Sequence, residues 1–248
     1  MKKHSIWVDF FAFMTLGTFV QAQEKELHHY LSLEDVASSL ELLPPPPAVN
    51  SILFLNDEAQ YRWGKMQRPT PRGDQAVSDA RLYGDGVAKS FSEAFGMTIS
   101  KEGTPEIYKL ISHFREDAGD YATRSAKEHY MRMRPFTFYN EDTCNTEQQQ
   151  GLSTNGSYPS GHTAIGWATA LVLAEINVER QNEILKRGYE IGQSRVICGY
   201  HFQSDVDAGR LVASAVVARL HANKEFMNQL NKAKAEFAKL SGRSGNRR

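Results

Sequence analysis

Apolar positions recur along this chain at helical rather than strand spacing. The clearest run sets Ile107, Leu110, Ile111, Phe114, Ala118, Tyr121 and Ala122 on one face of a helix. Thr104-Pro105-Glu106 precedes it as a start signal: a capping hydroxyl, proline at the first helical position and an acid in the first turn. This helix is expected to run to about Arg134, because the residue before Pro135 avoids the α region. Asn56 is expected to cap an earlier helix that Pro69 ends, and Gly96 to stop another. Between His162 and Asn177 the chain is apolar on several faces (Ile165, Trp167, Ala168, Leu171, Val172, Leu173), as a central buried helix would be. Further helices are expected over Gln181 to Arg195 and Asp205 to Leu220, and a last one with Phe226, Leu230, Phe237 and Leu240 on one face. Alternating patterns are scarce and no repeat is visible, so the expected fold class is an all-α, single-domain helical bundle.

The ends change that picture. Lys2-Lys3, a largely apolar run from Phe10 to Val20, and Val20-Gln21-Ala22 read as an export signal cleaved near Ala22. A cytosolic helix is the alternative, favoured only by Asp9 at the edge of the run. The expected organisation is a signal over 1–22, one domain over 23–240 and a disordered basic tail over 241–248, in a periplasmic protein. Residues 23–50 read as an extended arm that ends in Leu43 and the polyproline run Pro44 to Pro47, a rigid strap over the domain or a rim of its site.

The whole chain carries 29 basic and 29 acidic side chains. Removing Lys2, Lys3 and Asp9 leaves 27 and 28, a balance that offers no electrostatic case for nucleic acid or an anionic membrane. Two cysteines, Cys144 and Cys198, point to a disulfide in an oxidising compartment, with two buried thiols as the alternative.

Three separated pieces carry the candidate chemistry. Lys127 and Arg134 are seven residues apart, which on one helix puts two cations on nearly the same face. Alone, such a pair is usually just solvated. Pro159-Ser160-Gly161-His162 precedes the most apolar helix, where backbone N–H groups and the helix dipole suit an anion. An ordinary helix cap with a surface histidine is an equal reading of that piece by itself. Ser194-Arg195 is followed by His201 and Asp205, four residues apart, so the carboxylate can orient the imidazole while Arg195 offers planar recognition of phosphate. No compact His or Cys cluster supports a metal site. His28 and His29 fall in the N-terminal arm, His113 and His129 read as helix-surface residues, and Asn155-Gly156-Ser157 reads as a turn although it matches a glycosylation sequon.

Taken in order, Lys127-x6-Arg134-Pro135, Pro159-Ser160-Gly161-His162 and Ser194-Arg195-x5-His201-x3-Asp205 resemble the three-part signature of the type 2 phosphatidic acid phosphatase and vanadium haloperoxidase superfamily. The export signal, the Leu43 to Pro47 run and the stretch from Asn155 to Leu173 look like the bacterial class A non-specific acid phosphatases, a resemblance that covers essentially the whole mature chain. Phe202 stands where many relatives carry tryptophan, and the basic tail is unlike theirs.

The resemblance implies metal-independent hydrolysis of small phosphate monoesters at acidic pH, with no cofactor and a broad substrate range, by a protein that commonly self-associates. It implies His201 as the nucleophile that forms a phosphohistidine, Asp205 as its orienting partner and His162 as the acid that protonates the leaving alcohol. Lys127, Arg134, Arg195, Ser160 and the Gly161 N–H would hold the phosphate oxygens. Phosphate transfer to alcohols, apyrase-like cleavage of nucleoside di- and triphosphates, and vanadium-dependent halide oxidation are the other activities that such a pocket supports.

Overall fold

A computed structural model describes residues 29–242. The expected signal, His28 and positions 243–248 of the expected tail lie outside the described residues. The chain forms α1 (Ser39–Leu42), α2 (Ile52–Gln67), α3 (Pro71–Asp79), α4 (Gly86–Phe95), α5 (Pro105–His113), a π-helical turn (Asp117–Tyr121), α6 (Ala122–Tyr130), α7 (Pro135–Phe138), α8 (Gln149–Ser153), α9 (Gly161–Ile176), α10 (Gln181–Ile197), α11 (Gln203–His221) and α12 (Lys224–Leu240). Among the described residues there is no strand, so the fold is all-α as expected. None of these helices is long and apolar enough to cross a membrane.

The core is built around α9, which packs against α10 and α11. Ile165, Ala168, Val172 and Leu173 of α9 are buried, and each large aliphatic side chain so buried stabilises the fold by about 1.5–3 kcal/mol. The α9–α10 approach depends on Gly188, where a Cβ would lie 2.4 Å from the Ala170 side chain. Gly161, at the start of α9, is equally constrained: a Cβ there would meet the Gly119 carbonyl oxygen at 2.5 Å. Glycine at this position is therefore needed to seat α9 against the π turn, a packing role distinct from the approach to an anion expected of it.

Several boundaries differ from the sequence expectation. The helix expected from Thr104 to Arg134 is three pieces, α5, the π turn and α6. The interruption begins at Asp117, whose side chain binds the N-terminal arm, its carboxylate accepting from His29 Nδ1 and the Tyr30 N–H, both at 3.0 Å. His29 is thus an anchor of the arm, and its ring also stacks on Tyr121. α6 stops at Tyr130 because Met131 adopts a left-handed backbone (φ 40°), and Arg134 is extended before Pro135. Lys127 and Arg134 therefore do not share a helix face.

At the start of α5, Thr104 does not cap. The Glu236 carboxylate of α12 accepts the N–H groups of Glu106 and Ile107 instead. α2 is capped by Ser51 rather than Asn56. Gly96 does end α4, with φ 78°. On α12, Phe226, Leu230 and Phe237 are buried as expected, but Leu240 is largely exposed at the helix end.

The arm is not wholly irregular, since it contains α1. Ser39 Oγ of α1 accepts the Ala126 N–H of α6 at 3.1 Å, Leu43 is buried, and the Tyr158 hydroxyl donates to the Pro44 carbonyl at 2.8 Å. The polyproline run thus straps the segment that leads into α9.

Cys144 and Cys198 are joined by a disulfide, tying the segment after α7 to the end of α10. Ala76, Ala80, Phe136, Ile197 and Tyr200 pack beneath it as a small second core. The linked positions are 54 residues apart, for which the chain-entropy argument gives about 4 kcal/mol of stabilisation. Reduction, or Cys144→Ala with Cys198→Ala, should lower the unfolding free energy by about that amount in urea titrations. A loss below about 1 kcal/mol would show that the small core holds the segment unaided.

Candidate active site

The three sequence pieces converge at the N-terminal end of α9. Lys127 comes from α6, Arg134 from the residue that caps α7, Ser160 to His162 from the start of α9, Arg195 from the last turns of α10, and His201 and Asp205 from the α10–α11 junction. After α10 the chain reverses at Gly199, whose φ of 79° glycine adopts readily. The Tyr200 and His201 N–H groups then return to the Arg195 carbonyl, which fixes His201 beside Arg195.

His201 is buried, and both ring nitrogens are engaged. Arg134 Nη1 donates to Nε2 at 3.0 Å. A guanidinium is only a donor, so Nε2 carries the lone pair and Nδ1 the hydrogen. Nδ1 lies 3.2 Å from Ser157 Oγ, which in turn donates to Asp205 Oδ2 at 2.5 Å. Asp205 Oδ2 itself is 3.5 Å from Nδ1, beyond a good hydrogen bond. Asp205 therefore orients His201 through the Ser157 hydroxyl. Its Oδ2 also accepts the Phe202 N–H at 2.8 Å, which locks the carboxylate at the start of α11.

The cations are held in a way that leaves their charge available. Lys127 Nζ donates to the Pro159 and Gly156 carbonyls. Arg134 donates to the Leu152, Asn155, Gly156 and Tyr200 carbonyls. Arg195 is buried, lies over the Tyr200 ring at 4.0 Å, and has no hydrogen-bond partner on any of its three side-chain nitrogens. Leaving a buried charged donor unpaired is costly, so this arrangement favours an anion that can receive it.

Burial, followed by neighbouring cations, shifts the titrations in one direction. Burial and the Arg134 charge push Lys127 well below its ordinary value. Burial brings Arg134 down to about 10, and burial with Arg134 nearby brings Arg195 down to about 9. His201 is lowered by burial and then by Arg134, Lys127 and Arg195, and His162 by burial and then by Arg195 and His201. Each shift shows positive charge being resisted, which a phosphate dianion would reverse.

Ser160 and His162 each make a local contact as well. Ser160 is fully buried, and its Oγ caps α9 by accepting the Thr163 N–H, which leaves its O–H hydrogen to donate. His162 Nε2 faces the Ala80 carbonyl at 3.3 Å, which leaves Nδ1 for proton transfer. Its ring meets the edge of Tyr83, an exposed residue whose face is covered by Arg115 at 5.0 Å.

Ser157, Arg132 and Tyr83 were not singled out by sequence reasoning. Ser157 was hidden in a stretch that reads as a turn. Arg132 had one signal, its place two residues before Arg134 in Met-Arg-Met-Arg. Phe202 does not face the site openly. It is buried, with the Arg132 guanidinium over its ring at 4.5 Å.

The profile of the PAP2 superfamily matches residues 118–227, a range that contains every residue of this site from Lys127 to Asp205. The chain is 66% identical over 212 residues to a non-specific acid phosphatase of Providencia stuartii, covering 86% of each chain. It is 41% identical over 233 residues to a non-specific acid phosphatase of Salmonella typhimurium, covering 94% of this chain and 92% of the relative. An acid phosphatase of Zymomonas mobilis is 36% identical over 197 residues, covering 79% of this chain and 74% of the relative. Similarity at this level and over this length places the chain in one family: it belongs to the bacterial class A non-specific acid phosphatases of the PAP2 superfamily.

Proposed function

We propose that this acid phosphatase hydrolyses phosphate monoesters in two steps through a phosphohistidine on Nε2 of His201. The observation that carries the reading is the setting of the two His201 ring nitrogens. Arg134 faces Nε2 as a donor and Ser157 takes Nδ1, so the lone pair lies on the side of the cations. A dianionic phosphoryl group drawn to Arg195, Lys127 and Arg134 would meet that lone pair directly. Positioning and charge stabilisation of this kind supply most of the catalysis in phosphoryl transfer.

In the first step the Nε2–phosphorus bond forms as the ester oxygen–phosphorus bond breaks, and His162 gives its proton to the departing alkoxide. The phosphorylated imidazolium keeps its Nδ1 hydrogen on Ser157, with Asp205 behind it. In the second step a water attacks phosphorus, its proton passes to His162, and the Nε2–phosphorus bond breaks to restore neutral His201. An alcohol in place of that water gives phosphotransfer.

His162 must be charged at the outset, whereas burial and Arg195 favour its neutral form. The bound dianion supplies the missing charge balance and raises its pKa in the complex.

His201→Ala should lower kcat more than about 1,000-fold, and an alkaline quench, which preserves the acid-labile N–P bond, should find no labelled phosphate on the variant. Label trapped on a residue other than His201 in the native enzyme would refute the nucleophile. His162→Ala should lower kcat/KM, which reports the first step alone, by about 100- to 10,000-fold with alkyl phosphates and far less with p-nitrophenyl phosphate, whose leaving group needs no proton. Equal losses on both substrates would remove His162 from the role of acid.

The pH dependence follows from the directions of the shifts. His201 acts when neutral, and its lowered pKa keeps it so into acid. His162 acts when protonated, so activity falls as pH rises through its value in the complex. The profile of kcat should be a bell with an acidic optimum; a rate that climbs steadily to about pH 9 would contradict the assignment.

A further inference from the structure

Asp205 poses a problem for the nucleophile that it serves. A carboxylate beside an imidazole favours the charged imidazolium, and a protonated His201 has no lone pair for attack. An enzyme of this kind must work at a pH low enough to charge His162 while His201 stays neutral. Burial, Arg134, Lys127 and Arg195 oppose that proton, and a group that restrains Asp205 itself would act at its source.

The structure contains one. Arg132 Nη1 lies 2.6 Å from Asp205 Oδ1, and Nη2 lies 2.8 Å from Asp57 Oδ2. Asp57 and Asp205 are fully buried, and the Arg132 side chain is only 9% exposed. Asp57 reaches in from α2 and also accepts the Ser204 N–H and hydroxyl, at 2.8 and 2.6 Å, while Arg132 Nη1 donates to Ser204 Oγ. The Phe202 ring supports the guanidinium from below.

The two oxygens of Asp205 are thus divided. Oδ1 faces Arg132, and Oδ2 faces Ser157 and, through it, His201. Burial opposes the charge on Arg132, but Asp205 and Asp57 more than compensate and raise its pKa, so it remains a cation.

We propose that Arg132, anchored by Asp57, is a positioning residue that draws the charge of Asp205 toward Oδ1, so that Asp205 orients His201 without holding a second proton on it. The inference rests on His201 being the nucleophile. The other charged or titratable groups around His201 are Lys127 from α6, Arg134 before α7, His162 from α9 and Arg195 from α10; Tyr158 stands near Arg132 and Asp205. The cations among them also oppose a proton on His201. Arg132 differs from them in binding the one carboxylate that favours it, and it does not touch the face of His201 that carries the lone pair.

The test is an NMR pH titration of the His201 imidazole in phosphate-free protein, with the signal assigned by its loss in His201→Ala. The titration is paired with the acid limb of kcat/KM. Arg132→Met should raise the His201 pKa and move the acid limb upward by about one pH unit, while Arg132→Lys, which restores a cation, should return both most of the way. Asp57→Asn should shift the pKa the opposite way, because Arg132 is then left to Asp205 alone. A purely structural role predicts no such opposed shifts.

A His201 pKa that fails to rise in Arg132→Met, or that rises in Asp57→Asn, overturns the proposal. If Arg132→Met does not fold, the fall in Asp57→Asn carries the test, and its absence counts against the proposal. Phosphate trapped elsewhere than His201 would defeat the nucleophile assignment instead, and the titration would still report whether Arg132 sets the charge.

Discussion

The structure depends on keeping positive charge inside the protein without cancelling it. Lys127 and Arg134 are satisfied by main-chain carbonyls, which occupy their donors and leave the net charge intact. Arg195 goes further, with an aromatic ring against its face and no hydrogen bond to any nitrogen. The contrast lies in two partly buried arginines. Arg187 pairs with Asp79, and Arg132 with Asp57 and Asp205. These two arginines meet carboxylates, whereas Lys127, Arg134 and Arg195 meet neutral groups. A buried charge without a counter-ion is expensive, so the surrounding scaffold has to be rigid enough to hold it.

That rigidity comes from three sources around one helix end. Gly161 lets α9 approach the π turn, the disulfide holds the α10–α11 junction against the segment after α7, and the arm is fastened by Asp117 and Tyr158. Behind Arg195, Ser194 and Arg187 converge on the buried Asp79, next to Ala80, whose carbonyl faces His162. His162 and Arg195 are thus braced by the same buried carboxylate. Small residues and fixed loops here serve electrostatics as much as packing.

Local periodicity was a good guide where a helix is surrounded by protein on most sides. The all-round apolar pattern from His162 to Asn177 did mark the central helix, because burial there is set by the composition of the segment itself. It misled from Thr104 to Arg134, where the apolar spacing runs on through a break. The ladder widens to a π turn at Asp117, whose side chain binds the arm, and Met131 turns left-handed just before Arg132, which reaches two carboxylates. These partners lie far away in sequence. Thr104 shows the same limit at a helix start, since a carboxylate more than a hundred residues on replaces the local cap.

By itself the sequence determined which groups the candidate site contains: the cations, histidines and carboxylate of the three-part signature, their order, and the all-α class that follows from 3.6-residue spacing. These are properties of residue identity and short-range pattern. Tertiary structure alone decided how they are joined. It set Ser157 between His201 and Asp205, turned Ser160 inward as a cap, separated Lys127 from Arg134, and placed Asp57 against Arg132. Hydrogen bonds act over about 3 Å, and no spacing along the chain reports which of two distant residues will come that close.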